Sequence, residues 1–153
     1  MIITTNIDQF NPNHIYIYNP VKNNIMEDSK FIRIIYSNVN LILNGVYIDF
    51  EFSNDVSCEN YFNKFKYSFD VNSNKSLINK IRTIEQLIIS KISINKNPKY
   101  QIYEQLNMGN LKLFTPASNK NSKHFILKIS GYWETDTKYG LTYKFINMVP
   151  HNT

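Results

Sequence analysis

The sequence predicts a mainly β protein, a β-barrel with one helix, preceded by an N-terminal arm. Three observations support this prediction. Residues 125–149 alternate between apolar and mixed side chains, the pair Asn44-Gly45 separates two such runs, and apolar residues recur by threes and fours from Leu77 to Ile92. Alternation is typical of strands, and spacing by threes and fours is typical of a helix.

Residues 1–30 are predicted to form an irregular arm that packs on the domain or extends from it. Pro12, Pro20 and many asparagines break regular strand pairing, so only residues 14–18 are expected to form a strand there. Residues 31–150 are predicted to form the domain itself, since a chain of 153 residues fits a single domain.

Residues 31–52 predict a hairpin, because Asn44-Gly45 is the strongest short hairpin signal. A two-residue loop at this pair brings only apolar residues opposite one another, which favours that register. The predicted partners are Leu43 with Val46, Leu41 with Ile48, and Val39 with Phe50.

A helix is predicted after a further strand at residues 65–71. The apolar stripe from Leu77 to Ile92 belongs to this helix, and Asn74 or Ser76 can cap its start. Two more short strands are predicted at residues 100–106 and 111–114, followed by a polar loop at residues 115–123.

The last segment is predicted to be an antiparallel ribbon that turns at residues 136–138. This turn places Trp133 opposite Leu141 and Gly131 opposite Tyr143. Trp133 is therefore expected to pack in the core, and stacking on a base is the alternative.

The order of these elements resembles one known architecture. A long strand, bent at Ser37-Asn38, is followed by two strands, one helix and further strands. The OB-fold is a five-stranded Greek-key barrel with its helix between the third and fourth strands. The predicted domain is therefore an OB-fold-like five-stranded barrel.

Composition narrows the class of partner and the compartment. The formal net charge of +5 favours a polyanionic ligand. Cys58 is the single cysteine, so no intramolecular disulfide can form and a reducing, intracellular compartment is expected. No run approaches the 18 or so apolar residues of a membrane span, and no signal peptide is expected.

Catalytic motifs do not appear in the sequence. It has no phosphate-binding loop, no nucleophile elbow, no zinc-protease motif and no zinc-ligand spacing, so neither an enzyme nor a cofactor is expected. Asp49 and Glu51, two residues apart on one strand face, could hold Mg²⁺ in a small nuclease. The simpler interpretation is a solvated polar face.

The strand faces turned away from the core carry lysines interleaved with tyrosines. Such faces suit single-stranded nucleic acid, because bases stack on rings while lysines neutralise phosphates. A duplex binder would more often show a basic recognition helix. The alternative is the ordinary exterior of a lysine-rich barrel. The predicted binding residues are Tyr47, Lys66, Lys112, Lys128, Tyr132 and Lys144, with Tyr139 near the turn and Tyr103 as further rings.

Two short segments of the C-terminal ribbon also match a known family. ISGYW (129–133) and YGLTYK (139–144) resemble the last two strands of OB-fold single-stranded DNA-binding proteins of large nucleocytoplasmic DNA viruses. Those proteins are similar to the single-stranded DNA-binding proteins of short-tailed phages. The resemblance implies a protein without a cofactor that coats single strands during replication, recombination or repair.

The sequence therefore favours a non-enzymatic, viral single-stranded DNA-binding protein of the host cytoplasm or viral factory. The competing hypothesis is a viral structural or protein-interaction module with a β-barrel fold and no nucleic-acid role. RNA is kept as an alternative ligand, and a homo-oligomer is left open.

Overall fold

A computed structural model describes residues 4–17, 21–22, 30–37, 42–43, 45–53, 56–113 and 123–147. Over these ranges the protein is mainly β, with twelve strands and two α-helices, which confirms the predicted class. The described strands form mixed sheets that are not closed into a barrel.

The larger sheet is built around the predicted C-terminal ribbon, β11 (His124–Glu134) and β12 (Lys138–Asn147). The other edge of β11 is shared by two strands. β6 (Val46–Glu51) pairs with its first half, and β4 (Lys30–Ser37) pairs with its second half. The ribbon is therefore the centre of the sheet.

Short strands extend this sheet at its periphery. β2, β3 and β5 pair antiparallel with β4, β1 pairs parallel with β6, and β9 pairs parallel with β12. The strand predicted at residues 14–18 is present as β2. The five strands are β1 (Thr5–Asn6), β2 (Ile15–Ile17), β3 (Val21–Lys22), β5 (Ile42–Leu43) and β9 (Asn97–Lys99).

The predicted hairpin register at Asn44-Gly45 is wrong. β6 pairs with residues 124–129 of β11, and Leu43 lies opposite Tyr36 of β4. The sequence of β11 offers β6 apolar residues at every second position, as residues 39–43 do, so apolar matching could not choose between them. The predicted positions at 38–41 and Asn44 lie outside the described residues.

A smaller antiparallel sheet contains three strands in the order β7, β8, β10. They are β7 (Ser57–Tyr61), β8 (Lys64–Ser68) and β10 (Asn110–Leu113). The strands predicted at residues 65–71 and 111–114 correspond to β8 and β10. The ring centroid of Tyr67 in β8 lies 5.2 Å from that of Phe125 in β11, so one apolar core joins the two sheets.

Helix α1 (Lys75–Ser90) confirms the predicted helix. Most of its apolar stripe is buried in the core, whereas Leu77 is half-buried and Ile92 is buried just beyond the end of the helix. Asn74 precedes it but does not cap its first turn as predicted. Instead, the Asn74 side chain accepts a hydrogen bond from the Ser53 backbone N–H at 2.9 Å and donates one to the Asp70 carbonyl at 2.8 Å. It therefore ties the chain after β6 to the start of α1.

Helix α2 (Gln101–Asn107) replaces the strand predicted at residues 100–106. Ile102 and Leu106, four residues apart, are fully buried on one helical face. The buried Glu85 carboxylate of α1 accepts hydrogen bonds from the backbone N–H groups of Ile102 and Tyr103 at 2.9 and 3.0 Å. Since this cap comes from another helix, the local sequence did not reveal it.

A β-bulge at Ser130 reverses the side-chain alternation of β11. Beyond it, Tyr132 lies opposite Leu141 and Trp133 lies opposite Gly140, which shifts both from the predicted register. As a result, Tyr132 is buried in the core and Trp133 is only half-buried.

Candidate nucleic-acid interface

Lys128 and Lys144 lie directly opposite one another on β11 and β12. The residues on either side of Lys144 face the helices: Phe145 is buried, and the Tyr143 hydroxyl donates a hydrogen bond to the Gln101 carbonyl at 3.3 Å. Because strand side chains alternate, both lysines point to the opposite side of the sheet. We call this side of the larger sheet the outer face.

Tyr47 extends the row of lysines onto a third strand. It lies opposite Lys128 on β6, and the Lys128 Nζ atom is 5.4 Å from its ring centroid. This distance allows a cation–π contact. The ring is half-buried, and thus part of it is open to solvent. Tyr47, Lys128 and Lys144 therefore form one continuous row of ring and cations across three strands.

Arg33 adds a third cation to the outer face. It is exposed on β4, opposite Gly131. A Cβ atom at Gly131 would lie 2.1 Å from the Ile32 carbonyl oxygen, so only glycine lets β4 approach β11 here. Sequence reasoning missed Arg33, although its position between the buried Ile32 and Ile34 is the usual signal of an outward-pointing residue.

Trp133 lies on the outer face at the end of β11 and does not pack in the core as predicted. Its ring covers Gly140, and its Nε1–H donates to the Gln101 side-chain oxygen at 3.2 Å. Its partner on β4 is Phe31, which is also half-buried. Two rings therefore lie beyond Arg33 on the same side of the sheet.

Acidic side chains near this surface have partners of their own. Glu134 accepts a hydrogen bond from the Lys96 ammonium at 2.6 Å. Asp49 accepts one from the Thr4 hydroxyl at 2.9 Å and lies 3.8 Å from the His124 imidazole. The Lys96 ammonium offsets the charge of Glu134. Thr4 is neutral and His124 carries charge only when protonated, so Asp49 and the exposed Glu51 keep negative charge at the β6 end of this face.

Two tyrosines that were predicted to stack on bases are buried instead. Tyr132 and Tyr139 are each only 6 % exposed and belong to the core. Burial raises the pKa of both hydroxyl groups. The bulge at Ser130 explains Tyr132, because it turns this ring inward. Neither tyrosine can stack on a base while the core is intact.

Lys66 and Lys112 do not belong to the outer face, since they lie on the smaller sheet. They are directly opposite one another on β8 and β10. Lys66 also lies 3.9 Å from Glu59 on β7. The predicted binding residues are therefore divided between two sheets.

The β7–β8 hairpin carries two aromatic residues that sequence reasoning missed. Tyr61 is 39 % exposed, and Phe62, in the two-residue turn, is 89 % exposed. Phe62 has a φ of 55°, in the left-handed region that costs a non-glycine residue roughly 1–2 kcal/mol. An exposed bulky ring in strained backbone at a hairpin tip is the unusual feature of this segment.

The remaining candidates have structural positions. Tyr103 is in α2, where the Arg82 guanidinium lies 4.4 Å from its ring centroid. For the nuclease hypothesis, the described residues contain no group of three or more His, Cys, Asp or Glu that could hold a metal ion. Asp49 and Glu51, even with His124 beside Asp49, thus do not form such a group.

The chain matches no protein-family model, and searches of curated proteins and of solved structures find no similar protein. Among the helices of the described ranges, none has the length and apolar character needed to cross a membrane. The outer face itself presents cations beside partly open rings, an arrangement that can hold phosphates and stack bases.

Proposed function

We propose that this protein binds single-stranded DNA, without catalysis, on the outer face of its larger sheet. The observation that carries the proposal is the row formed by Tyr47, Lys128 and Lys144. Two lysines directly opposite one another repel, and this cost is relieved when a phosphate lies between them. A base attached to that phosphate can then stack on the neighbouring Tyr47 ring.

Arg33, Trp133 and Phe31 support a longer path across the same face. Arg33 pairs with Gly131, which lies between Lys128 and Trp133 along β11, and the Phe31 ring covers Gly131. A DNA strand that runs along β11 would therefore meet both cations and rings. Such a surface does not distinguish between bases, because every base has a π face and every nucleotide a phosphate. This favours coating of single strands over recognition of one sequence.

The finer fold proposal is a diverged OB-fold. It is supported by β4, which pairs with β11 through its first half and with β2 and β5 through its second half, as a long bent strand would. It is also supported by the position of α1 after β8. With the likeness of residues 129–133 and 139–144 to viral proteins, we propose a role in viral DNA replication, recombination or repair in the host cytoplasm or viral factory.

Fluorescence anisotropy with a labelled dT oligomer at several salt concentrations tests the proposal. Contacts with roughly four to five phosphates should give a slope of log K against log salt near −3. The competing function, a structural or protein-interaction module, predicts no such binding. If no complex forms at low salt, or if its affinity is indifferent to salt, the proposed function fails.

The site is tested by the double variant Lys128→Glu with Lys144→Glu. It should weaken binding strongly and reduce the salt slope by about 0.7 units per lost phosphate contact. The matched control reverses the same number of charges at Lys75 and Lys91, which are exposed at the two ends of α1. Normal affinity in the folded outer-face variant would rule out this site while leaving DNA binding itself intact.

A further inference from the structure

The tip of the β7–β8 hairpin presents a pair of rings to solvent. Phe62 lies in the turn, and its ring meets that of Tyr61 edge-on at a centroid distance of 4.9 Å. Phe62 is 89 % exposed, so it contributes little to the core. A ring that packs only against the edge of Tyr61, on strained backbone, stabilises the isolated protein little, which points to a contact with another molecule.

Two lysine ammonium groups lie close to the Tyr61 ring of this pair. The Lys66 and Lys112 ammonium groups lie 5.6 and 5.0 Å from the Tyr61 ring centroid. The same two lysines are directly opposite one another on β8 and β10. Glu59 approaches only Lys66, at 3.9 Å, and is itself largely exposed. Positive charge therefore remains on this side of the hairpin.

This arrangement repeats the one on the outer face. In both places a pair of directly opposed lysines has a tyrosine ring beside it: Tyr47 beside Lys128, and Tyr61 beside Lys66 and Lys112. Two separate sheets thus present the same combination of ring and cations. The recurrence favours the same class of ligand at both.

We propose that the tip of the β7–β8 hairpin is a second contact for single-stranded nucleic acid. Phe62 stacks on a base, and Lys66 and Lys112 hold the neighbouring phosphates. This inference rests on the proposed function, which it extends from one contact surface to two. An anionic membrane surface is the rival occupant, since it also accepts an exposed ring backed by lysines.

Two contacts on one protein make affinity depend on the length of the strand. A short oligomer occupies only one contact, whereas a longer one reaches both and gains affinity through the high effective concentration of its free end. Loss of the hairpin contact should therefore weaken binding of long oligomers and leave short ones unaffected.

The experiment compares Phe62→Gly with the wild-type protein. Glycine adopts positive φ freely, so the variant should unfold at an equal or higher urea concentration. Its affinity for a dT oligomer of about 25 nucleotides should fall about tenfold, within the range of one lost stacking contact. Its affinity for an oligomer of about 5 nucleotides, near the lower site size of one OB-fold, should not change.

Two controls accompany this variant. Met108→Ala removes another exposed apolar side chain, 73 % exposed at the end of α2, and should bind both oligomers normally. Lys112→Glu should reproduce the selective loss on the long oligomer and also reduce its salt slope, because it removes a phosphate contact.

If Phe62→Gly binds the long oligomer as tightly as the wild-type protein does, while the Lys128→Glu, Lys144→Glu protein has lost binding, the hairpin contact is wrong and the proposed function stands. If Phe62→Gly no longer sediments with phosphatidylserine vesicles, as the wild-type protein then would, but binds DNA normally, the inference is also overturned and the tip is assigned to a membrane surface. Absence of any dT binding by the wild-type protein would remove the proposed function and this inference together.

Discussion

The indole ring of Trp133 occupies the space above Gly140, its direct partner on β12. A Cβ atom built on Gly140 would lie 2.9 Å from Cζ2 of the ring and 3.0 Å from the Lys99 carbonyl oxygen. Glycine is therefore required for the ring to approach the strand this closely. This contact holds the ring at the sheet although the bulge at Ser130 has turned it away from the core.

Gly140→Ala should destabilise the protein by roughly 1–3 kcal/mol, because the added methyl group forces the ring or the β9 backbone to move. Urea denaturation measures this change in the free energy of unfolding. Trp133 is the single tryptophan of the sequence, so its emission should also shift in the folded variant.

The same substitution in a Trp133→Ala background isolates the contact. The cost of Gly140→Ala should then fall by about 1 kcal/mol or more, leaving only the conflict with Lys99. Strictly additive effects in this double-mutant cycle would show that ring and glycine do not interact as described.

Tyr132 and Tyr47 should respond oppositely to replacement by alanine. Tyr132→Ala empties part of the core and should lower the free energy of unfolding by roughly 3–5 kcal/mol. Tyr47→Ala should leave stability little changed and weaken dT binding about tenfold, with an unaltered salt slope, because stacking releases no counterions. A stable Tyr132→Ala protein with selectively lost binding would contradict the assignment of this ring to the core.

Glu85→Ala should destabilise the protein by roughly 1–3 kcal/mol. It leaves the backbone N–H groups of Ile102 and Tyr103 without their acceptor at the start of α2, in a buried position. Gln86→Ala, at the next and exposed position of α1, is the matched control and should have little effect. Equal stability of the two variants would mean that the carboxylate does not cap α2.

Glu85 should also make stability depend on pH. Burial raises the pKa of its carboxyl above the ordinary value, despite the two hydrogen bonds that it accepts. The folded state thus binds the proton more tightly, so stability is fully present below the unfolded pKa of about 4.3 and falls as pH rises through the folded pKa. Relative to Glu85→Gln, the wild-type free energy of unfolding should decrease over that window, as urea titrations at several pH values would show. An increase in this free energy of unfolding with pH would mean that folding lowers the Glu85 pKa instead of raising it.

Side-chain periodicity was sufficient to predict an element where the residues of that element alone determine it. The alternation of residues 125–149 predicted the C-terminal ribbon, and the stripe from Leu77 to Ile92 predicted α1. Lys128 and Lys144 were also predicted to lie on the side away from the core, because side-chain alternation before the bulge is unbroken. Their direct pairing was not predicted, since the register is shifted.

Periodicity failed where a second segment decides the outcome. The apolar residues of β6 match residues 39–43 in sequence as well as they match β11, and only the assembled sheet selects β11. Residues 100–106 were predicted to form a strand, yet they form α2, with Ile102 and Leu106 on its buried face and a cap from Glu85. The exposure of Phe62 could not be predicted, because the burial of a turn residue depends on which other segments pack against the turn.

The sequence by itself determined the mainly β class, the ribbon, the long helix and the basic, tyrosine-rich character of the protein. These follow from side-chain spacing and charge, which are local properties. The tertiary structure alone decided which rings are exposed, since the single unpaired residue Ser130 exchanges Tyr132 for Trp133 in the core. It also separated Lys66 and Lys112 from Lys128 and Lys144, because strand partners are chosen by competition among distant segments whose apolar patterns are alike.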